Sequence, residues 1–505
     1  MSQEPKKIDR RKFIYAGLGA VAVVAIGLAA YFATRPPAVV EKTVVQTQTI
    51  EKPVERTIVT TVAGTPTTIT QTIERTITPT TAPETPLPID ARKYKKAPSK
   101  ITLDFYTDKG PFGNNWAKIA QLGNPSFSEW TNIVINPVNF STTDVFQAAF
   151  YQVANTPNAP DLFNWWTGFQ LRTITKRGLT LDLSTVWEAH KDEYPTGLKD
   201  PYSVDGVPMA VPFSVNYWVV WYRPQVFRQF GINIPKTWDE FIATARALKE
   251  AKVKWPILNL WVEWTGFIWL QEVIVRQDPD FYERLMIGKE RYTDPLVRNG
   301  LKIIADMVKE GLFGNVAEAA APGHSFYPPP PPLPSWWKEN QIGMAAVGDW
   351  MSSVFKASGF KAIEDYDFFI LPNINPRLGD LIIIEPAPVC VGKNSDAKEY
   401  ALEYLDFFLS TEAQAWWQTV AWPQVFTNLK IPPELAEPDK KKLGNLLKEK
   451  NFRFITRIWE ATPPEIIIPI SNLMDKLAFN PNMLDEIINE MDAIATKYWS
   501  EHPEA

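Results

Sequence analysis

The stretch from Asp205 to Arg223 reads DGVPMAVPFSVNYWVVWYR, a run of β-branched and aromatic residues interrupted by Ser214 and Asn216. Extended chain sends successive side chains to opposite sides, so Asn216 and Trp218 share one side and Tyr217 takes the other. Upstream, DLFNWWTGFQ (Asp161 to Gln170) sets two adjacent tryptophans beside an aspartate and an asparagine. Neighbours do not share a face of a helix or strand, so Trp165 and Trp166 cannot both be core on one packed surface. The chain carries 20 Trp in all, and where that aromatic surplus goes is the functional question.

Composition narrows the classes. At 505 residues and 45% apolar, the chain is long enough for two domains or one large one with a full core. A net charge of -5 supplies no basic field, so nucleic acid is not an expected partner. A lone cysteine, Cys390, excludes an internal disulfide framework and a thiolate zinc site. His190, His324 and His502 lie far apart in sequence and do not suggest a metal centre. No cofactor is expected.

The N-terminus suggests where the protein works. Lys6, Lys7, Arg10, Arg11 and Lys12 precede an uncharged run from Phe13 to Ala33, which as a helix would cover ~31 Å and span a bilayer. Basic residues before it and only Arg35 just after place the N-terminus in the cytoplasm and the rest outside. Residues 1–34 are therefore read as a basic flank and a transmembrane anchor, with Arg10-Arg11-Lys12-Phe13 also resembling a twin-arginine export signal. Residues 35–97 hold 16 Thr and eight Pro with no Trp or Phe, too little bulky apolar surface for a core. They read as a disordered stalk, with a stalk of paired strands or helices, from the alternation of Thr with Val and Ile, as the alternative. Thr density there invites O-glycosylation, and Asn139-Phe140-Ser141 is an N-glycosylation acceptor by pattern.

In the body, ITLDFYT from Ile101 and NIVINPV from Asn132 alternate like strands, and helical patterns separate the later apolar runs, which gives an α/β arrangement. Thr237-Trp-Asp-Glu240 is a capping box, Asp294-Pro295 opens a helix that Gly311 closes, and Ser395 precedes another. Pro328 to Pro332 cannot continue a helix and reads as a surface loop. The succession NAPDLFNWW, KRGLTLDLS, DGVPMAVPFSVNYWVVWYR and FGINIPKTWDEFIATARALKEAKVKWPI, then NQIGMAAVGDWMSSVF and KEYALEYLDFFLSTEAQAWW, resembles the sugar- and oligosaccharide-binding proteins of ABC importers, the maltose-binding-protein-like family. The resemblance runs from Ile101 to about Pro432.

That resemblance implies two α/β lobes joined by crossing segments, with the ligand between them and hinge closure on binding. VPFSVNYW and PRLGDLIIIEPAPV would be the crossings, residues 98–211 and 387–425 one lobe, and 212–386 and 426–505 the other. The implied partners are a saccharide and an ABC permease with a separate ATPase, and the protein is expected to be a monomer. A sugar site needs flat aromatic surfaces for C–H faces and planar polar groups for hydroxyls. The candidates are Trp165 or Trp166; either Asn216 and Trp218 or Tyr217; Trp261, Glu263 and Trp264 in WVEW; and Asp349 and Trp350 in VGDW. Glu385, an apolar-flanked carboxylate that must meet a partner or a ligand, and Trp422 complete the set. In WVEW an extended chain would pair Trp261 with Glu263 and a helix would pair it with Trp264, while Asp349 could serve simply as a helix N-cap. Trp416 and Trp417 are read as packing.

Aromatic subsites with carboxylates also describe a glycoside hydrolase, and the anchor with its stalk alone would suit a structural or adhesive surface protein. The chain contains no G-x-S-x-G, H-E-x-x-H, G-x-x-x-x-G-K-[ST] or G-x-G-x-x-G motif, so nothing recognisable favours an enzyme. His324 beside Ser325 is not a nucleophile–base geometry, and Cys390 reads as a small buried hydrophobe.

Overall fold

A computed structural model describes residues 54–62, 65–73, 85–326 and 333–503. The chain divides into two compact units, Met1–Thr80 and Thr81–Ala505. Within the first, strand β1 (Val54–Val62) pairs antiparallel with β2 (Thr65–Ile73). This part of the expected coil follows the paired-strand alternative instead, because alternating β-branched residues fit a pleated ladder. The expected membrane anchor and the proline run 328–332 lie outside the described residues. Among the described residues, no helix is long and apolar enough to cross a membrane.

The second unit starts earlier than the composition shift suggests. Ile89, Ala91, Tyr94 and Ala97 are buried in its core, Tyr94 meeting Phe127 and Phe407 edge-on at 5.5 Å each. The Thr-rich stalk therefore cannot extend to residue 97.

Its strands are β3 (Ile101–Thr107), β4 (Ile133–Asn139), β5 (Leu162–Asn164), β6 (Ser203–Val204), β7 (Val207–Pro208) and β8 (Val211–Tyr222). These are followed by β9 (Trp255–Leu258), β10 (Ile342–Gly348), β11 (Asp367–Phe369), β12 (Leu381–Val391) and β13 (Arg453–Thr456). The main sheet runs β4-β3-β5-β12-β8-β10-β9, with β11 on β8 and β13 on β12. β3 is parallel to β4 and β5, and β10 is parallel to β9. Two long antiparallel strands tie these parallel sets together. β8 pairs with β12 over Val211–Tyr217 and then with β10 over Trp218–Tyr222. β12 pairs with β13, β8 and β5 in succession.

Helices cover the sheet where the sequence starts them. Thr237 and Glu240 form the capping box of helix α1 (Trp238–Glu250). Asp294 caps α2 (Pro295–Lys309), after which Gly311 takes a positive φ of 74°. Ser395 accepts from Ala397 N just before the helix Lys398–Leu409. Most of the tryptophans are core. Trp116 lies 4.1 Å from Trp417 and Trp255 lies 4.0 Å from Trp336, centroid to centroid. Cys390 is free and fully buried, and burial pushes its thiol up.

Candidate ligand-binding site

β3 and β5 run in one direction and β10 and β13 in the other, so the two sets bring their carboxyl ends toward one another, and carboxyl ends are where ligands bind in open α/β sheets. Here β3 ends into Asp108 and Lys109, β5 into Trp165 and Trp166, β10 into Asp349 and Trp350, and β13 into Arg457. Asp108, Lys109, Trp166, Trp350 and Arg457 all line a single pocket. Trp264, Phe267, Trp459, Trp422, Phe213 and Thr143 complete its sides, and Asn216 and Glu385, Cα partners across β8 and β12, are on its wall. The pocket holds about 580 Å³ of empty space, open solvent at its mouth included.

The adjacent tryptophans part as alternation requires. Trp165 is core, 4.7 Å from Phe150 and 5.4 Å from Phe146, its Nε1 donating to Gln170 O at 3.2 Å. Trp166 turns into the pocket and meets Trp459 edge-on at 6.0 Å. Asn164, on the same side as Trp166, donates to Asp108 Oδ1 at 3.0 Å. The aspartate of that stretch, Asp161, is committed to Ser395 and to Asp104 N and takes no part in the pocket. The following Gly168 has φ +61°, and a Cβ there would lie 2.1 Å from the Glu460 carbonyl oxygen, so the chain can pass so close to residue 460 only as glycine.

Along β8, Asn216 faces the pocket and accepts from Trp422 Nε1 at 3.4 Å. Trp218, on the same side, lies behind the wall and donates to Glu385 Oε2 at 3.3 Å, and Tyr217 points the other way, toward Phe454 at 6.4 Å. Trp422 is brought round by a π-helical turn, Trp417–Ala421, closed by Trp422 N donating to Trp417 O at 2.7 Å.

Glu385 is the polar centre. Its Oε2 accepts from Trp218 Nε1 and from Trp350 Nε1 at 3.2 Å and is ion-paired with Arg457 Nη1 at 2.9 Å, while Oε1 has no protein donor among the described residues. Arg457 lies 5.7 Å from the Trp218 ring and 5.8 Å from that of Phe267. It also grips Glu460 with two nitrogens, Nε to Oε2 at 2.8 Å being one contact. Burial opposes the charge of Arg457, but Glu385 and Glu460 outweigh it and raise its pKa further. Across the pocket, Lys109 Nζ sits 2.8 Å from Asp108 Oδ1. Burial would raise the Asp108 carboxyl, yet Lys109, Asn164 and Thr143 hold it below its usual value. The lining thus carries two balanced ion pairs, a setting for a neutral polar ligand.

Two more expected site residues, Trp261 and Asp349, lie elsewhere. Trp261 takes a positive φ of 53°, which turns its ring into the core against Phe313 at 5.1 Å. WVEW is therefore neither extended nor helical, because a 3-10 turn begins at Glu263 and brings only Trp264 to the pocket. The side chain of Glu263 lies outside what is described. Asp349 is neither an N-cap nor a pocket residue: Lys440 Nζ lies 2.7 Å from its Oδ2, and Tyr217 N donates to its Oδ1 at 2.9 Å. The helix there starts at Met351 with no side-chain cap. His324 is held by Ala319 O at 3.1 Å and stands edge-on to Trp336.

Asp108, Lys109, Thr143, Phe213, Phe267, Arg457 and Trp459 are pocket residues that the sequence reading missed. Asp108-Lys109 directly follows the clear strand ITLDFYT, a signal that was present. Arg457 follows RFIT, a four-residue strand too short to stand out.

The family model for the bacterial extracellular solute-binding protein matches residues 113–415, more than half of the chain. The chain belongs to that family. This solute-binding protein is 24% identical over 349 residues to an uncharacterized ABC transporter extracellular-binding protein of Pyrococcus horikoshii, covering 66% of this chain and 74% of that one. It shares its fold with a chitin oligosaccharide binding protein (TM-score 0.67, 18% identity, 79% of this chain and 98% of the other). It is similar to the same extent to the bacterial solute receptor AcbH, described as preferring β-D-galactopyranose exclusively (TM-score 0.66, 19% identity, 80% and 99%). The two-lobe α/β solute-binding fold follows from these matches, as does an extracellular or periplasmic setting for the family.

Proposed function

We propose that this solute-binding protein captures a sugar, an oligosaccharide by preference, and delivers it to an ABC permease powered by a separate ATPase. The observation that carries the reading is the Glu385 carboxylate, one oxygen of which has no donor among the described residues, set among the indoles of Trp166, Trp264, Trp350, Trp422 and Trp459. Indole faces suit the C–H face of a pyranose, and the carboxylate, Asn216 and the Asp108–Lys109 pair suit its hydroxyls. Several aromatic walls favour more than one ring. Binding would close the parts on either side of β8 and β12, with residues 98–211 and 387–425 moving against 212–386 and 426–505. Tethering by the N-terminal segment, with the body outside the cell, would keep the receptor at high effective concentration near its permease.

Tryptophan fluorescence of the purified protein, titrated with mono- and oligosaccharides while reducing ends are assayed, tests this. The expected result is a saturable change without new reducing ends. New reducing ends would replace the reading with hydrolysis, and no response to any sugar would remove the saccharide assignment.

A further inference from the structure

Glu460 does not line the ligand pocket. It borders a second groove, on which Arg172, Asp205, Tyr282, Glu283, Phe454 and Thr456 also lie. It is nevertheless one guanidinium away from the ligand carboxylate. Arg457 spends Nε and one terminal nitrogen on the two oxygens of Glu460, and only its other terminal nitrogen reaches Glu385, at Oε2. An arginine fork pairs best with both oxygens of one carboxylate, so the two buried glutamates compete for a single fork. Glu460 has the bidentate share because it lies three residues along the same segment, on the short helix Ile458–Ala461.

We propose that Glu460 is the positioning residue of the pocket: by holding the Arg457 fork it leaves Glu385 Oε1 to the ligand. Without its charge, the fork would turn onto Glu385, cover both oxygens and compete with the sugar hydroxyl. The inference rests on the saccharide reading for its effect on affinity, and on geometry alone for the orientation of Arg457.

A dependence on pH follows. Burial pushes the Glu460 carboxyl up, the like charge of Glu385 adds to this, and Arg457 pulls back, leaving it at about 7. The charged and titratable groups around it are Arg457 on its own segment, Glu385 on β12, Tyr282 on the helix Pro279–Met286, and Arg172, Asp205 and Glu283 around the groove. Glu460 is charged above that pH and loses its charge as pH falls through it. Affinity should therefore fall on acidification.

Crystal structures of the ligand-free wild-type protein and of Glu460→Gln read the orientation directly. The expected variant has the Arg457 fork on both oxygens of Glu385, and an unmoved Arg457 overturns the proposal. Fluorescence titration with whichever sugar the wild type binds is the second arm, with at least about tenfold weaker binding expected in the variant. The wild-type affinity should also fall from about pH 8 to about pH 6 while that of the variant stays flat. Equal affinities with equal pH profiles overturn it. If Glu460→Gln does not fold, Arg457→Lys, whose ammonium cannot hold both glutamates bidentately, and the wild-type pH profile carry the same test: unchanged affinity and a flat profile overturn the proposal. If the wild type binds no sugar, the saccharide reading fails and the crystallographic arm still decides the positioning role.

Discussion

Two buried carboxylates stand close to the crossing strands, and they are finished differently. Asp349 has both oxygens taken, Oδ1 by Tyr217 N and Oδ2 by Lys440, and the two side chains of that ion pair are 2% and 1% exposed. Burial pushes the Asp349 carboxyl up, and Lys440 and the Tyr217 N–H pull it back. Glu385 has two indole donors and the Arg457 ion pair crowded on Oε2 and, among the described residues, no donor on Oε1, and it lines the pocket. A charge satisfied at every lone-pair direction serves the fold. One satisfied on a single side toward a cavity is prepared for something that is not there yet.

The comparison breaks first, if it is wrong, at Lys440. Lys440→Met strands a buried Asp349 and should lower unfolding free energy by ~3–5 kcal/mol in denaturant titrations. Sugar affinity of the folded fraction should stay unchanged, and a loss of affinity at full stability would make Asp349 a ligand residue after all. Next come the adjacent tryptophans, which repeat the contrast in apolar form. Trp165→Ala opens a core cavity and should cost ~3–5 kcal/mol of stability. Trp166→Ala, at a residue only 7% exposed, should cost less stability than Trp165→Ala and weaken sugar binding at least about tenfold. Reversed outcomes would exchange their roles.

Glu385→Gln sharpens the comparison at its centre. Arg457 keeps Glu460, so the fold should survive, while loss of a charged acceptor should weaken binding ~10- to 100-fold by fluorescence titration. Trp350→Phe removes one of the two indole donors to Oε2 and keeps an aromatic wall, so only a ~2- to 10-fold loss is expected. A larger loss there would mean that the indole N–H meets the ligand itself.

Pattern reached as far as local geometry reaches. ITLDFYT, NIVINPV and the capping box at Thr237 form the elements their alternation and chemistry specify. The two-sidedness of Asn216, Tyr217 and Trp218 was equally legible, though which side met the pocket was not. WVEW misled because both templates assumed a regular period, whereas the left-handed turn at Trp261 belongs to neither. Asp349 misled because its partner, Lys440, is 91 residues away.

By itself the sequence determined the class of protein, the α/β alternation, the absence of a thiolate metal site and the short list of tryptophans and carboxylates from which a site could be built. Those are properties of composition, local period and motif order, all carried by residues near one another along the chain. Only the tertiary structure decided which of the 20 tryptophans became walls, that Asp108, Lys109, Arg457 and Trp459 join them, and that one oxygen of Glu385 meets no donor among the described residues. The pocket forms where the ends of β3, β5, β10 and β13 converge, strands spread over some 350 residues from Ile101 to Thr456. Whether a side chain there is core, partner or wall depends on what sheet pairing sets opposite it, and no local pattern encodes that.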